Sequence, residues 1–323
     1  MDEKQQKRLL RRRLGSTGWT LLIYFGIMNA SVVLVLVLDM VMRMFSDPDM
    51  LFSGEIDDSV LDALMGNAWG YFLAAAIGLL ILLIWKGRKF CFRDIWVTEK
   101  TMNFKDFFGI LFVFVTGQLV FQVFAYILEF LLNLVGLSAM SAIESASIAT
   151  DTLSMFLYAG ILAPITEEIL FRGLIMRSLQ PFGRKFAIFT SAFLFGIFHG
   201  NLVQSPFAFA VGLVLGYVAI EDSILWAMVL HMFNNLLLSD VMTRLTSGLP
   251  EDVGLIINWA VILALSVAGI IVAAVNHKRI SAYLNRERMN GICLKCFFSS
   301  AGVIVLMVVM LDNMLLGITA YTP

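Results

Sequence analysis

Two adjacent glutamates lie inside an apolar stretch, in the run Glu167-Glu168-Ile-Leu-Phe-Arg172. A charged side chain at membrane depth costs on the order of 2.5–3.5 kcal/mol, so such residues are functional candidates. Glu168 and Arg172 are four residues apart and share a helical face, which predicts an ion pair that keeps Glu168 ionised. Glu167 has no such local partner, which suits it to act as a general base or acid. For Glu168 and Arg172, the alternative is a purely structural ion pair that holds helices together.

Two histidines and two asparagines follow on later apolar stretches. His199 ends the run Phe195-Gly-Ile-Phe-His199, and His231 opens the run His231-Met-Phe-Asn234-Asn235. His231 and Asn235 share a helical face, where an imidazole and an amide provide the two fixed donors that an oxyanion hole needs. The structural alternatives are a core histidine bonded to a carbonyl for His199 and polar contacts between helices for the second run.

These groups predict hydrolysis of an amide by water. A carboxylate removes a proton from the water and the donor pair stabilises the oxyanion, so no Ser or Cys nucleophile is needed. A zinc-dependent alternative would use Glu167, His199 and His231 as a His₂Glu ligand set. The sequence has no HExxH motif, and its one other histidine, His277, falls in a predicted cytosolic loop. We therefore expect no metal and no other cofactor.

The composition indicates that a membrane must hold these residues. Of the 323 residues, 59% are apolar and 15% are charged, whereas soluble domains have about 45–50% and about 25%. These values exclude a disordered protein, a secreted disulfide scaffold and a cytosolic enzyme. The net charge of −1 argues against nucleic-acid binding. Membrane lipids are therefore the first expected partner.

Nine apolar stretches predict an all-α, polytopic bundle of about eight to nine transmembrane helices. They lie near 19–41, 69–85, 107–136, 152–176, 186–199, 206–220, 223–239, 253–275 and 299–318. A spanning helix needs about 20 residues, so the fifth to seventh stretches are short. Because polar residues at depth need protein around them, we expect these three stretches to pack inside the bundle.

The basic residues predict a cytosolic N-terminus. Nearly all of the 23 Lys and Arg residues lie in 1–18, 86–106, 177–185 and 276–298, which alternating helices place on one side. The acidic 42–68 loop falls on the opposite side. Basic loops face the cytosol in multi-pass proteins. No organelle signal is recognisable, so we expect a prokaryotic cell membrane.

The three motifs together resemble those of the CPBP family, the CAAX proteases and bacteriocin-processing enzymes that are also called Abi proteins. Residues 167–172 are similar to its EExxxR motif, 195–199 to its FxxxH motif and 231–235 to its HxxxN motif. The resemblance covers about residues 151–240. It implies a helical core with a membrane-embedded cavity and an intramembrane protease activity.

The resemblance also implies roles for single residues. Glu167 and His199 would activate water, and His231 and Asn235 would stabilise the oxyanion. The other two charged residues of the first motif would support and orient the site; they are Glu168 and Arg172. Every motif residue is present, so the sequence offers no reason to expect an inactive protein.

The substrate implied by the resemblance is a peptide or protein in the membrane, possibly with a lipid modification. The eukaryotic type II CAAX prenyl endopeptidase removes the last three residues of prenylated proteins. The alternative is a non-catalytic membrane scaffold, or a bacteriocin self-immunity protein that uses the same cavity for binding. A transporter is a third interpretation, but the chain lacks the paired broken helices and internal symmetry of that class.

Three regions follow from this layout. Residues 1–150 would hold the first three transmembrane helices, 151–245 a catalytic core of four helices, and 246–323 the last two helices. The motifs fall only in the middle region.

Four further polar residues are interpreted as structural or inert. Glu129 is predicted near the outer end of the third span, and Asp312 lies deep enough in the last span to need a partner. Cys293 and Cys296 form a single CxxC in a predicted basic cytosolic loop, where two reduced thiols are expected.

Overall fold

The computed structural model describes residues 3–46, 66–98, 100–146, 152–236, 242–286 and 290–321. Most of these residues are helical, and the two described strands, β1 and β2, form one antiparallel pair. β1 is Leu137–Ser138 and β2 is Thr319–Ala320. The predicted all-α architecture is confirmed. Most of the acidic 42–68 loop and the end of the seventh stretch, 237–239, lie outside the described residues.

Nine principal helices stand in the described part of the chain. They are α1 (Glu3–Ser46), α2 (Trp69–Phe92), α3 (Phe104–Asn133), α4 (Leu153–Phe182), α5 (Arg184–Phe198), α6 (Gln204–Glu221), α7 (Ile224–Phe233), α8 (Glu251–Val275) and α9 (Ala301–Leu316). Shorter helices are Asp94–Trp96, Met140–Ala146, Met242–Thr246, His277–Arg286 and Gly291–Phe298.

Within the described ranges, six helices are long and apolar enough to cross a membrane: α1 to α4, α6 and α8. A seventh span results if α9 is counted with the helix Gly291–Phe298, from which it is bent by 63°. α5 and α7 match the predicted fifth and seventh stretches, but they are only 15 and 10 residues long. The protein is therefore a multi-pass integral membrane protein, and α5 and α7 are the short elements within its bundle.

The short helix α5 and its neighbour α6 form the interior of the bundle. They pack along each other, and no large apolar side chain between residues 158 and 224 is exposed. α7 differs from the expected full burial, because Leu225 and Val229 are exposed. The exposed apolar side chains are concentrated on α1, α2, α3, α8 and α9, which therefore form the lipid-facing shell.

Glycines let the helices of the shell approach closely. A Cβ on Gly18 of α1 would lie only 2.2 Å from the backbone of Gly302 in α9. A Cβ on Gly269 of α8 would lie 2.1 Å from the carbonyl oxygen of Phe112 in α3. Since lipid is as apolar as the side chains, membrane helices associate through such close packing rather than through hydrophobic burial. These backbone contacts fix the shell around the interior helices.

Glu129 of α3 is buried and anchors the segment after its helix. Its Oε1 accepts a hydrogen bond from the Ser138 hydroxyl, and its Oε2 accepts one from the Ala139 backbone N–H, both at 2.7 Å. This geometry agrees with the structural role expected from the sequence. The bonds hold β1 against α3 and so fix the start of the helix Met140–Ala146.

One expectation for the C-terminal region is wrong, and another stays a prediction. Asp312 is exposed near the end of α9, and no side-chain partner for it lies among the residues that the structure describes, so the partner expected for it stays a prediction. Cys293 and Cys296 do not lie in a loop, because the basic 276–298 segment folds largely into two helices. Neither cysteine is in a disulfide, and both are buried on one face of Gly291–Phe298.

Candidate active site

The helix that carries the first motif, α4, is irregular at that point. Tyr158–Leu162 and Ile169–Met176 are π-helical, and one α-helical segment, Ala163–Glu168, separates them. π-Helical turns are rare and occur frequently at functional sites. Glu167 and Glu168 therefore stand at the junction where α4 changes its winding. No residue pattern in the sequence indicated this change.

The predicted ion pair of α4 is present and completely buried. Arg172 Nη1 donates to Glu168 Oε1 at 2.8 Å, and both side chains are 0% exposed. Arg172 Nη2 also donates to the Gly212 carbonyl oxygen at 3.2 Å. A Cβ on residue 212 would lie 3.2 Å from the same nitrogen, so glycine leaves room for the guanidinium. The pair therefore fixes α4 against α6.

His231 of α7 lies against both glutamates. Its Nδ1 is 3.0 Å from Glu168 Oε1, and its Nε2 is 3.7 Å from Glu167 Oε2. Since an ionised carboxylate only accepts hydrogen bonds, Nδ1 carries a proton directed at Glu168. The Glu167 side chain is 29% exposed, whereas that of Glu168 is fully buried. Glu167 is therefore the carboxylate that a bound molecule can reach.

His199 ends α5 beside this group. Its Nδ1 is 2.8 Å from the Phe195 carbonyl oxygen, and Gly200 follows with φ +58°, a left-handed conformation that terminates helices. A carbonyl oxygen only accepts, so Nδ1 carries the proton and the neutral ring keeps a lone pair on Nε2. His199 is therefore bonded to a carbonyl, as the structural alternative predicted. This bond uses only Nδ1, so Nε2 remains available for chemistry.

The Phe195 ring joins the groups of three helices. The Arg172 guanidinium lies 4.4 Å from its centroid, and the rings of His199 and His231 meet it edge-on at 4.8 and 5.7 Å. His199 also lies within electrostatic range of Glu167. The sequence motif includes Phe195, but only the packing of α4, α5 and α7 shows that its ring contacts Arg172, His199 and His231 together.

Asn235 is hydrogen-bonded away from the glutamates. Its Nδ2 donates to the Ala159 carbonyl oxygen at 2.9 Å, and its Oδ1 accepts from Asn234 Nδ2 at 3.0 Å. Asn234 Oδ1 in turn accepts from Gln118 Nε2 at 2.9 Å. The structure thus joins four of the six predicted residues by direct contacts, the two glutamates, the arginine and His231. His199 and Asn235 have other hydrogen-bond partners, the carbonyl oxygens of Phe195 and Ala159 respectively.

The zinc alternative would need donor atoms of Glu167, His199 and His231 to converge on one point. Among the residues that the structure describes, no three or more His, Cys, Asp or Glu side chains are placed to hold a metal ion. Glu167, His199 and His231 are all described, so they do not form a His₂Glu ligand set here.

An apolar cavity of about 450 Å³ opens beside this cluster, between α1, α2 and α4. Its wall includes Thr166, the chain neighbour of Glu167, and Tyr24 of α1. Tyr24 lies within electrostatic range of Glu167. Trp19 and Trp85 also line the cavity, together with mostly aliphatic side chains of the same three helices. No motif marks the residues from α1 and α2, so the sequence analysis missed this wall.

The segment that carries these residues matches a known protein family. Residues 149–237 match the family described as type II CAAX prenyl endopeptidase Rce1-like. This segment is a domain of the CPBP/CAAX protease family. It contains all six predicted site residues, whereas α1 to α3, α8 and α9 lie outside it. No curated protein and no solved structure matches the chain.

Proposed function

We propose that the protein is an intramembrane endopeptidase whose attacking water is activated by Glu167 and His199. The CAAX protease family domain supports a protease. The observation that carries the proposal is the contact of His231 with both carboxylates, of which Arg172 neutralises only Glu168. Glu167 therefore keeps a partly exposed carboxylate beside an imidazole, as a general base requires.

The proposed reaction consumes one water and breaks one peptide bond. Glu167 accepts a proton from the water, which the Nε2 lone pair of His199 helps to orient, and the hydroxide adds to the carbonyl carbon. The carbonyl oxygen then carries the negative charge. When this intermediate collapses, the C–N bond breaks and the proton held by Glu167 passes to the departing amine. No metal or other cofactor takes part.

His231 and Asn235 are proposed to stabilise the oxyanion. The Nδ1 proton of His231 is directed at Glu168, so its Nε2 can donate to substrate only when the ring carries both protons. Asn235 uses one amide N–H for Ala159, and the described residues provide no partner for the other. Glu168 and Arg172 are proposed to orient this pair rather than to touch the substrate.

The proposed substrate is a membrane peptide or protein with a lipid modification. Thr166, the chain neighbour of the proposed base, lines the apolar cavity, whose mostly aliphatic and aromatic wall suits a hydrocarbon chain. The family description names prenyl endopeptidases, which act on substrates of this kind. We propose that the protein works in a prokaryotic cell membrane, with the core helices α4 to α7 supplying the site.

The test uses purified protein and an internally quenched peptide that ends in a farnesylated CAAX sequence. Glu167→Gln is expected to lower kcat by at least about 100-fold, the contribution of a general base. Glu221→Gln is the matched control, because it makes the same change where Glu221 pairs with Arg184 at the end of α6. The proposal is wrong if Glu167→Gln cleaves the peptide as fast as the parent protein.

Two further measurements separate the alternatives. Activity should survive dialysis against a chelator, and loss that zinc restores would establish the zinc enzyme instead. A scaffold or immunity protein predicts that cellular function persists in Glu167→Gln and His199→Ala. Membrane peptides that accumulate only in cells carrying Glu167→Gln would identify the natural substrate.

A further inference from the structure

We infer that Gln118 is a positioning residue that fixes the orientation of the Asn235 amide through Asn234. Gln118 belongs to α3, outside the segment that matches the protease family. The three side-chain amides form a hydrogen-bonded row that ends on the Ala159 carbonyl of α4. The inference rests on the proposed function, because it concerns the N–H that Asn235 offers to the oxyanion.

The row has a single direction. The Ala159 carbonyl oxygen only accepts, so Asn235 must turn its NH₂ group toward it and its oxygen toward Asn234. Asn234 must then donate to Asn235 and accept from Gln118. Gln118 therefore has to donate. An amide can otherwise be reversed end for end, so the row selects one of two orientations at each position.

The burial of Asn234, the middle amide of the row, makes this selection firm. Asn234 is 5% exposed, so water cannot replace a partner that is lost or reversed. If Asn234 turned over, its oxygen would face the oxygen of Asn235, and Asn235 would turn over in response. The Asn235 N–H groups would then point at Asn234 and away from the oxyanion. Control of the site thus reaches α3, which is distant from the motifs in sequence but joined to Asn235 through Asn234.

A bond elsewhere on α3 shows what a purely structural contact looks like. Thr116 Oγ1 lies 3.0 Å from the Phe112 carbonyl oxygen of its own helix and 3.3 Å from the Ser266 carbonyl oxygen of α8. It joins two shell helices and connects to no motif residue. Thr116→Val is therefore a matched control that removes a polar contact from the same helix without disturbing the amide row.

Three variants of the full-length protein test the inference with the farnesylated quenched peptide. Gln118→Leu removes the donor, and we expect kcat to fall about 10- to 100-fold, as for other residues that orient a catalytic group, with KM unchanged. Gln118→His keeps a donor and should retain more of kcat than Gln118→Leu. Thr116→Val should lower thermal stability and leave kcat at the parental value.

Gln118→Glu provides a signature that a structural role cannot produce. A protonated carboxyl group can donate to Asn234, but an ionised one only accepts. The kcat of Gln118→Glu divided by that of the parent protein should therefore fall as the pH rises. The same ratio for Gln118→Leu should not change with pH, because leucine does not titrate.

The outcomes separate this inference from the proposed function. Parental kcat in Gln118→Leu, in a protein that Glu167→Gln inactivates, overturns the role of Gln118 alone. A parent protein that leaves the peptide intact overturns the proposed function and the role of Gln118 with it. If Gln118→Leu does not fold, the Gln118→Glu profile decides, and a ratio independent of pH overturns the inference.

Discussion

Glu129 and Glu168 are both buried glutamates in helices of the same bundle, yet their surroundings differ in kind. Glu129 accepts from a hydroxyl and a backbone N–H, which come from residues nine and ten positions along the chain. Glu168 binds a guanidinium and an imidazole, and its Oε2 has no hydrogen-bond partner among the described residues. Glu129 thus has neutral donors from a nearby segment, whereas Glu168 has a charged partner on its own helix and a histidine partner from another helix. Burial alone would not distinguish the two.

The largest effect is expected when the Glu168 site loses its cation. Arg172→Met leaves a fully buried carboxylate without its charge partner, which should destabilise the protein by about 3–5 kcal/mol. Unfolding of the purified protein in detergent measures this loss. The control is Arg184→Met, whose pair with Glu221 is partly exposed and should contribute less than about 1 kcal/mol. Equal losses in the two variants would show that burial of the pair has no consequence.

An intermediate effect is expected at Glu129. Glu129→Gln removes one acceptor and faces an amide N–H toward a donor, which should cost about 1–3 kcal/mol of stability. Because none of its partners touches the motif residues, kcat for the quenched peptide should stay at the parental value. The same substitution at Glu168 should lower kcat strongly. A comparable loss of kcat in both variants would remove the distinction between the two sites.

The smallest effect is expected at a third carboxylate, Asp222, in the turn between α6 and α7. No side-chain hydrogen bond reaches it from the described residues, and burial raises its pKa, which nearby Lys100 opposes. A carboxyl whose pKa is raised in the folded state contributes stability below the unfolded pKa, and this contribution is lost as pH rises through the folded pKa. Asp222→Asn should therefore be slightly more stable than the parent protein at neutral pH.

Thermal unfolding at neutral and acidic pH checks this sign. The advantage of Asp222→Asn should disappear in acid, where the parental carboxyl is protonated as well. An advantage that grows as the pH falls would mean that the carboxylate is stabilised in the folded protein. Asp222 would then resemble Glu129, and the lack of a hydrogen-bond donor at Asp222 would not set the two buried carboxylates apart.

Local spacing was sufficient for the fold class and for the Glu168–Arg172 pair. Both follow from interactions within one helix, the length of an apolar stretch and the meeting of side chains four residues apart. The same reasoning failed for Cys293 and Cys296, because a basic segment between apolar stretches was interpreted as a loop. The helix formed there is short and buries its thiols against the bundle, which no periodicity in eight residues reveals.

Contacts between distant parts of the chain decided the rest. Glu167 and His231 meet because α4 is packed against α7, and Gln118 reaches Asn234 across 116 residues of sequence. The cavity wall from α1 and α2 likewise exists only where three helices diverge. The amino acids alone established which side chains must avoid lipid, since the cost of burying charge depends on residue type. Which partner satisfies each of them depends on helix packing, where small residues and irregular turns set distances that a linear pattern does not contain.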